Sequence, residues 1–388
     1  MGRGSRWKLW CKEFAARTFV AAGFSRVNTA AQRVRLGGRR TLIISYHRVV
    51  ADFAAEVERA IPGLLVSVES MRRQLEELGR RHDVVPLATA LHEMRSRSTG
   101  PDLAVVTFDD GYADVLREGL PVLQRLRMPA TVFLVAGVVG SRRLLPHDRL
   151  FTALSAFARR GLRAAGLPAS IGREWLDALI ASGCSLPEVI DGLIAGLPDG
   201  GITALAADLE RAVGNPPLPP GSGLLDWNMV RELVAAGIAI GAHTVHHRVL
   251  THLPLQDVRA ELREARVRIA EHAKVDSVDF AYPNGWYSET VVREVVAAGY
   301  RSALTTEARH NGPGEDPYRL GRYTLWEGST LGPSGYSRSI AACQLDGTFK
   351  LLGIPRTVSG RVAPEGSSRP LRPRPPVLNL HGPEGKHA

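Results

Sequence analysis

Two acidic side chains stand side by side in TFDDGY, residues 107–112, between an apolar run and a glycine. Adjacent carboxylates repel, so a fold that keeps Asp109 and Asp110 together must bring something positive to them. A second polar cluster, HTVHH at 243–247, spaces His243 and His247 four residues apart. On a helical turn that spacing sets both imidazoles on one side, within reach of one ion. Such a pair is common by chance. Joined to a carboxylate, however, it completes the three-donor set typical of catalytic zinc, which leaves a position open for water. Successive residues of an extended segment point to opposite sides, so both aspartates cannot easily ligate one ion alike. One can bind the metal while its neighbour accepts a proton from bound water, whose pKa falls from about 15.7 to about 7 on binding. The competing reading of Asp109–Asp110–Gly111 is a turn that caps a helix N-terminus.

These groups need elements that converge, and the chain between 41 and 335 supplies them. Short β-branched runs, TLIISYH, LAVVTFDD, ATVFLVAG, GIAIGAHT, SVDFAYP and SALTT, alternate with amphipathic stretches such as SMRRQLEELGRRH, NMVRELVAAG and VRAELREARVRIAEH. Near-continuous apolar strands separated by helices imply βαβ units and a parallel sheet covered on both faces. In such sheets functional groups gather at the carboxyl ends of strands. Asp109 and Asp110, His243, Tyr46 and His47, and Tyr282 and Pro283 all fall at such ends. Residues 141–225 break the rhythm with helical, Pro- and Gly-punctuated sequence and read as an insertion.

The ends of the chain differ from its middle. Residues 1–40 carry ten Lys/Arg against Glu13 alone, a net +9, and residues 336–388 a net +5, so 41–335 is at −4. A nucleic-acid binder would carry its positive charge on the fold, so no nucleic-acid partner is expected. Cys11, Cys184 and Cys343 are scattered, odd in number and without a CxxC pair, which fits a reducing compartment rather than a disulfide framework. The stretch 1–40 mixes Trp7, Trp10, Phe14, Phe19 and Phe24 with spaced basic residues. It has neither a spanning apolar run nor a clean secretory h-region. It reads either as a basic amphipathic helix on an anionic membrane or as a helix packed on the domain with its charges in water. Residues 336–388 are expected to form a Pro/Arg-rich, largely disordered tail.

TFDDGY, HTVHH and FAYPNG together resemble the first three motifs of the polysaccharide deacetylases, the NodB-homology group of carbohydrate esterase family 4. The resemblance covers roughly residues 41–330, and YHRV, ATVFL and DWNMVRELVAAGIAIGAHT are similar to members associated with bacterial exopolysaccharide loci. It implies an α/β fold, a distorted (β/α) barrel of about seven parallel strands, with the helical insertion and flexible basic termini appended. It also implies a metal-dependent hydrolase that removes N-acetyl groups from amino sugars of a polysaccharide or lipid-linked glycan. Asp109 matches the catalytic base, and Asp110, His243 and His247 match the ligands of a divalent ion, Zn2+ by preference. The backbone amide at Tyr112 matches an oxyanion donor.

Two family features are displaced. The arginine that often precedes the third motif's proline is replaced here by Phe280 and Ala281, and Arg322 in YRLGRY is the candidate substitute. No clear late LxH motif supplies a general acid: LNLH at 378–381 sits in the Pro-rich tail, and His47, in YH at the end of the first strand, is the better candidate. Tyr282, Pro283, Asn284 and Trp286 are candidates to line the sugar groove. Deformylation of a lipid-linked amino sugar, and a catalytically silent carbohydrate-binding or scaffold protein, are the alternatives. The compartment expected is cytoplasmic, peripheral at the inner membrane face if the substrate is assembled there on a lipid.

Overall fold

The computed structural model describes residues 3–96, 100–168, 170–198, 200–214 and 223–352. The described residues fall into two compact units, one drawn from 3–145 and 223–352, the other from 146–214.

The first unit is built on one parallel sheet. Its strands are β1 (Thr41–Tyr46), β2 (Asp83–Val84), β3 (Leu103–Phe108), β4 (Ala130–Leu134), β5 (Ala239–Ala242), β6 (Asp279–Ala281), β7 (Ser302–Leu304) and β8 (Tyr323–Thr324). Seven run in the order β8-β1-β3-β4-β5-β6-β7, and β2 flanks the start of β3. Every residue of β1, β3 and β4 is buried, as a sheet covered on both faces requires. Six of these strands are the apolar runs legible in the sequence. The edge pieces β2 and β8 are two residues long and carry no such run.

The open edge between β7 and β8 is bridged by one short stretch. Leu320 makes a parallel bridge to Leu304 of β7, and three residues on, Tyr323–Thr324 pairs with Ile44–Ser45 of β1. The chain from 320 to 324 therefore draws the two edges of the sheet into a distorted half-barrel. Helices Val68–Gly79, Trp227–Ala235, Leu255–Ala273 and Glu289–Ala297 bury their apolar faces on the sheet, forming a core that includes Met71, Leu75, Val230, Leu262, Ile269 and Val295.

Residues 3–36 form two helices, α1 (Arg3–Ala21) and α2 (Phe24–Leu36), joined through Gly23 at φ 73°. The expectation of a largely irregular tail from 336 needs correcting over its first part. Residues Arg338–Leu345 and Thr348–Leu351 are helical, and Ile340, Cys343 and Phe349 bury against Ala16 of α1. Their apolar spacing outweighs the Pro- and Arg-rich composition of the later tail. Residues 353–388, including LNLH at 378–381, lie outside the described residues.

Among its described residues the second unit holds four α-helices, Pro146–Arg159, Ile171–Ala181, Leu186–Gly196 and Gly201–Ala212. Leu150, Leu154, Leu193, Leu205 and Leu209 are buried among them, and Arg149 makes two bonds to Glu210 at 2.9 and 2.6 Å.

Candidate active site

Every strand end that carries a candidate residue opens on the same side of the sheet, because all these strands run parallel. Asp109 and Asp110 follow β3, and both are 2 % exposed. The chain turns there: Asp110 sits at φ 73° and Gly111 at φ 79°. Aspartate tolerates the left-handed region better than most residues, and the turn sends the two neighbouring carboxylates into different surroundings.

Asp109 faces Arg322. The guanidinium donates to both its carboxylate oxygens at 2.8 Å each, to the carbonyl of Thr305 at 2.9 Å and to the hydroxyl of Thr107 at 3.3 Å. Arg322 is wholly buried on the short segment that draws the sheet's edges together, just before β8. Burial drives the Asp109 pKa upward, but the guanidinium, His243 and His47 together outweigh it and hold the carboxyl below its usual range. Asp109 is thus an oriented carboxylate.

Asp110 faces the histidines. Its Oδ1 lies 3.3 Å from His247 Nε2 and 3.6 Å from His243 Nε2. One donor atom from each of the three residues lies within 4.8 Å of the others. A tetrahedral ion with bonds of about 2.0–2.1 Å separates its ligands by about 3.3–3.4 Å, so both distances from Asp110 are close to those of shared coordination. His243 Nδ1 donates to the carbonyl of Ala281 at 2.7 Å, which aims the Nε2 lone pair at the carboxylate. Burial, the largest influence, pushes the His243 pKa down to about 4, so the ring is neutral, as a ligand must be.

The histidine pair does not lie on a helical turn. Residues 243–249 form a bent loop with Thr244 at φ 66° and His247 at φ 57°. A β-branched residue in that region is strained, and surrounding contacts hold it there. Amides of Ala136 and Gly137 donate to the carbonyls of Thr244 and Val245, and a side chain on Gly137 would meet the Val245 carbonyl at 2.5 Å. Thr244 Oγ1 accepts from the His247 amide at 2.9 Å. Glu261, 3 % exposed, accepts from the amides of Val245 and His246 and from His246 Nδ1 at 2.8–3.0 Å. Sequence reasoning missed Glu261. Its signal was an acid on the buried stripe Val258–Glu261–Leu262–Ala265–Ile269 of a helix, where an apolar residue would be usual.

His47 follows β1 and is half-buried, and its Nδ1 is buried without a hydrogen-bond partner among the described residues. It lies close enough to Asp109 to add to that carboxyl's electrostatic field.

Tyr112 is 1 % exposed and bridges Leu224, but the bonds of that bridge use the Gly111 carbonyl and the Ala113 amide rather than the Tyr112 amide. Its ring packs with Val135, Val138 and Leu145, under the guanidinium of Arg48. The groove expectation for Tyr282 and Pro283 is corrected. Tyr282 is wholly buried, stacks on Tyr287 and donates its hydroxyl to the Tyr318 carbonyl at 3.0 Å, and Pro283 is buried beside it. Their strand-end position is real, but the side chains turn into the core. Asn284 and Trp286 are half-buried, and Trp286 lies against His252 with ring centroids 5.7 Å apart.

The family model for polysaccharide deacetylase matches residues 96–303, just over half of the chain. The chain belongs to the polysaccharide deacetylase family. It is accordingly a hydrolase of carbohydrate esterase family 4, whose members act on N-acetyl amide bonds of glycans. YxkH of Bacillus subtilis (strain 168), which carries the name of a polysaccharide deacetylase, is 18 % identical over 283 residues, 73 % of this chain and 68 % of that protein. IcaB from Ammonifex degensii has the same fold at 19 % identity, covering 80 % of this chain and 98 % of that one, with a TM-score of 0.52. The Streptococcus pyogenes deacetylase PplD, solved in complex with acetate, aligns at 14 % identity over 76 % of this chain and 96 % of that one, with a TM-score of 0.50. Within this deacetylase, Asp109, Asp110, His243 and His247 fall inside the matched stretch. His47 and Arg322 fall outside it and stand on geometry.

Proposed function

We propose that this deacetylase removes N-acetyl groups from the amino sugars of a polysaccharide or lipid-linked glycan by a metal-dependent route, with Asp109 as general base. The observation that carries it is the divided acid pair: Asp109 locked by Arg322, Asp110 set against two imidazoles at coordinating separation. Asp110, His243 and His247 would hold a divalent ion, Zn2+ by the chemistry of two nitrogens and one carboxylate oxygen. Bound there, the ion would polarise the acetamide carbonyl and acidify the attacking water.

The chain's own groups do the rest. Asp109 takes the proton of the attacking water, and Arg322 keeps it ionised and pointed for that transfer. The amide of Tyr112 donates to the carbonyl oxygen as negative charge develops on it. The C–N bond then breaks, the leaving nitrogen takes a proton from His47, and acetate and a free amino sugar result. The unpartnered Nδ1 of His47 beside Asp109 supports that assignment. The displaced motif arginine and the uncertain acid argued for a silent scaffold, and the Arg322 fork on Asp109 weighs against that reading.

Amine release from N-acetylglucosamine oligomers tests the reading. Asp109→Asn should cost about 10²–10⁴-fold in kcat while metal content stays that of the parent. Undiminished turnover would remove Asp109 as the base.

A further inference from the structure

The first two helices turn the wrong faces outward for a protein surrounded by water. On α1, Ala16 is wholly buried and Phe19 and Val20 pack beside it against the helix at Arg338–Leu345. The opposite side of α1 presents Trp7, Trp10 and Phe14, which are 69 %, 56 % and 73 % exposed. Their spacing of three and four residues places them in one stripe, within about 60° of arc at 3.6 residues per turn.

The inversion is clearer on α2. Its inward residues are polar: Ser25 bonds the Asp346 carboxylate, and Asn28 and Gln32 both donate to the Asp346 carbonyl. Its apolar stripe, Val27, Ala30, Ala31 and Val34, follows the i, i+3, i+4, i+7 pattern that ordinarily faces a core, yet Val27 is 65 % and Val34 83 % exposed. An apolar face of this kind on a folded protein marks a surface that something covers.

Charge identifies the cover. Lys8, Arg26 and Arg35 are exposed beside these stripes, and residues 1–40 hold a net +9. Part of that charge is used internally, in Arg33 and Arg40 on Asp102 and Arg39 on Asp83. Tryptophan flanked by basic side chains is the composition of a headgroup boundary, with the ring in the apolar layer and the cation on lipid phosphate. We propose that α1 and α2 lie on an anionic lipid surface, with Trp7, Trp10 and Phe14 entering the headgroup–acyl boundary. The two sequence readings of this segment then join: α1 packs on the domain by one face and on the bilayer by the other. No described helix is long and apolar enough to cross a membrane, so the contact is peripheral.

Co-sedimentation of the full chain with vesicles tests this, using phosphatidylglycerol mixed with phosphatidylcholine, and phosphatidylcholine alone, at low and high salt. The chain should sediment with the anionic vesicles, less with the neutral ones, and less at high salt. The triple change Trp7→Ser, Trp10→Ser, Phe14→Ser should weaken partition by at least about tenfold, with its thermal midpoint and its turnover of soluble oligomers unchanged. Failure of the parent to sediment, or equal sedimentation of the variant, overturns the proposal. So does self-association of the parent without vesicles that the triple change abolishes, since the face would then belong to a second copy.

Discussion

The strand β3 is bracketed by two buried aspartate–arginine pairs, and the two ends of that strand do opposite things with them. At its amino end Asp102 receives Arg40 at 2.7 Å, Arg33 at 2.9 Å and the Arg40 amide at 3.1 Å. One carboxylate there meets two guanidiniums, so no negative charge is left over. At the carboxyl end the guanidinium of Arg322 bonds Asp109, while Asp110 faces His247 and the neutral His243. That end sets two buried carboxylates within a strand's end, an arrangement that a divalent cation would answer. Two buried aspartate–arginine pairs are thus distinguished by what stands beside them: a second guanidinium at Asp102, a second carboxylate and two imidazoles at Asp109.

Changing Arg322 should produce the largest difference between the ends. Arg322→Lys keeps a positive charge but loses the fork on Asp109, and should lower kcat by about 10–100-fold with metal content retained. Arg322→Met removes the charge that holds the Asp109 carboxyl low, so the acid limb of kcat/KM against pH should move to higher pH. A limb that stays in place would mean that Asp109 is not the group titrating.

The amino end should respond in stability and not in chemistry. Asp102→Asn should destabilise the fold by about 3 kcal/mol near neutral pH, as measured by denaturant unfolding, and leave kcat unchanged. Burial raises the Asp102 pKa, but Arg40 and Arg33 outweigh it and hold the carboxyl below its ordinary value. Its contribution is therefore present above about pH 4, the unfolded carboxylate range, and fades as pH falls through the lower folded value. The parent should lose stability more steeply than the variant across that acid window. Equal slopes would show that Asp102 is not the group responsible.

The sequence made this contrast half legible. Asp109, Asp110, His243 and His47 could be placed because each stands where an apolar run ends, and a parallel sheet sends all such positions to one side. Arg322 could only be suggested: it is 213 residues from Asp109 in sequence and precedes a strand of two residues, so no periodicity points to it. His243 and His247 were paired for a geometry the chain does not use, since left-handed backbone at Thr244 and His247 depends on Glu261 and Gly137 from elsewhere. Tyr282 was misplaced because a strand end fixes where a residue sits but not which way its side chain turns. At the other extreme, α2 reads as an ordinary amphipathic helix, and only its contacts reveal that the polar side is the inner one.

Calorimetric titration of the metal-stripped full chain with Zn2+ tests the central claim most directly. The parent should bind one ion per chain, and His243→Ala should weaken that binding by at least about a hundredfold. A parent that binds no ion, or a variant that binds as tightly as the parent, would contradict the metal centre formed by Asp110, His243 and His247.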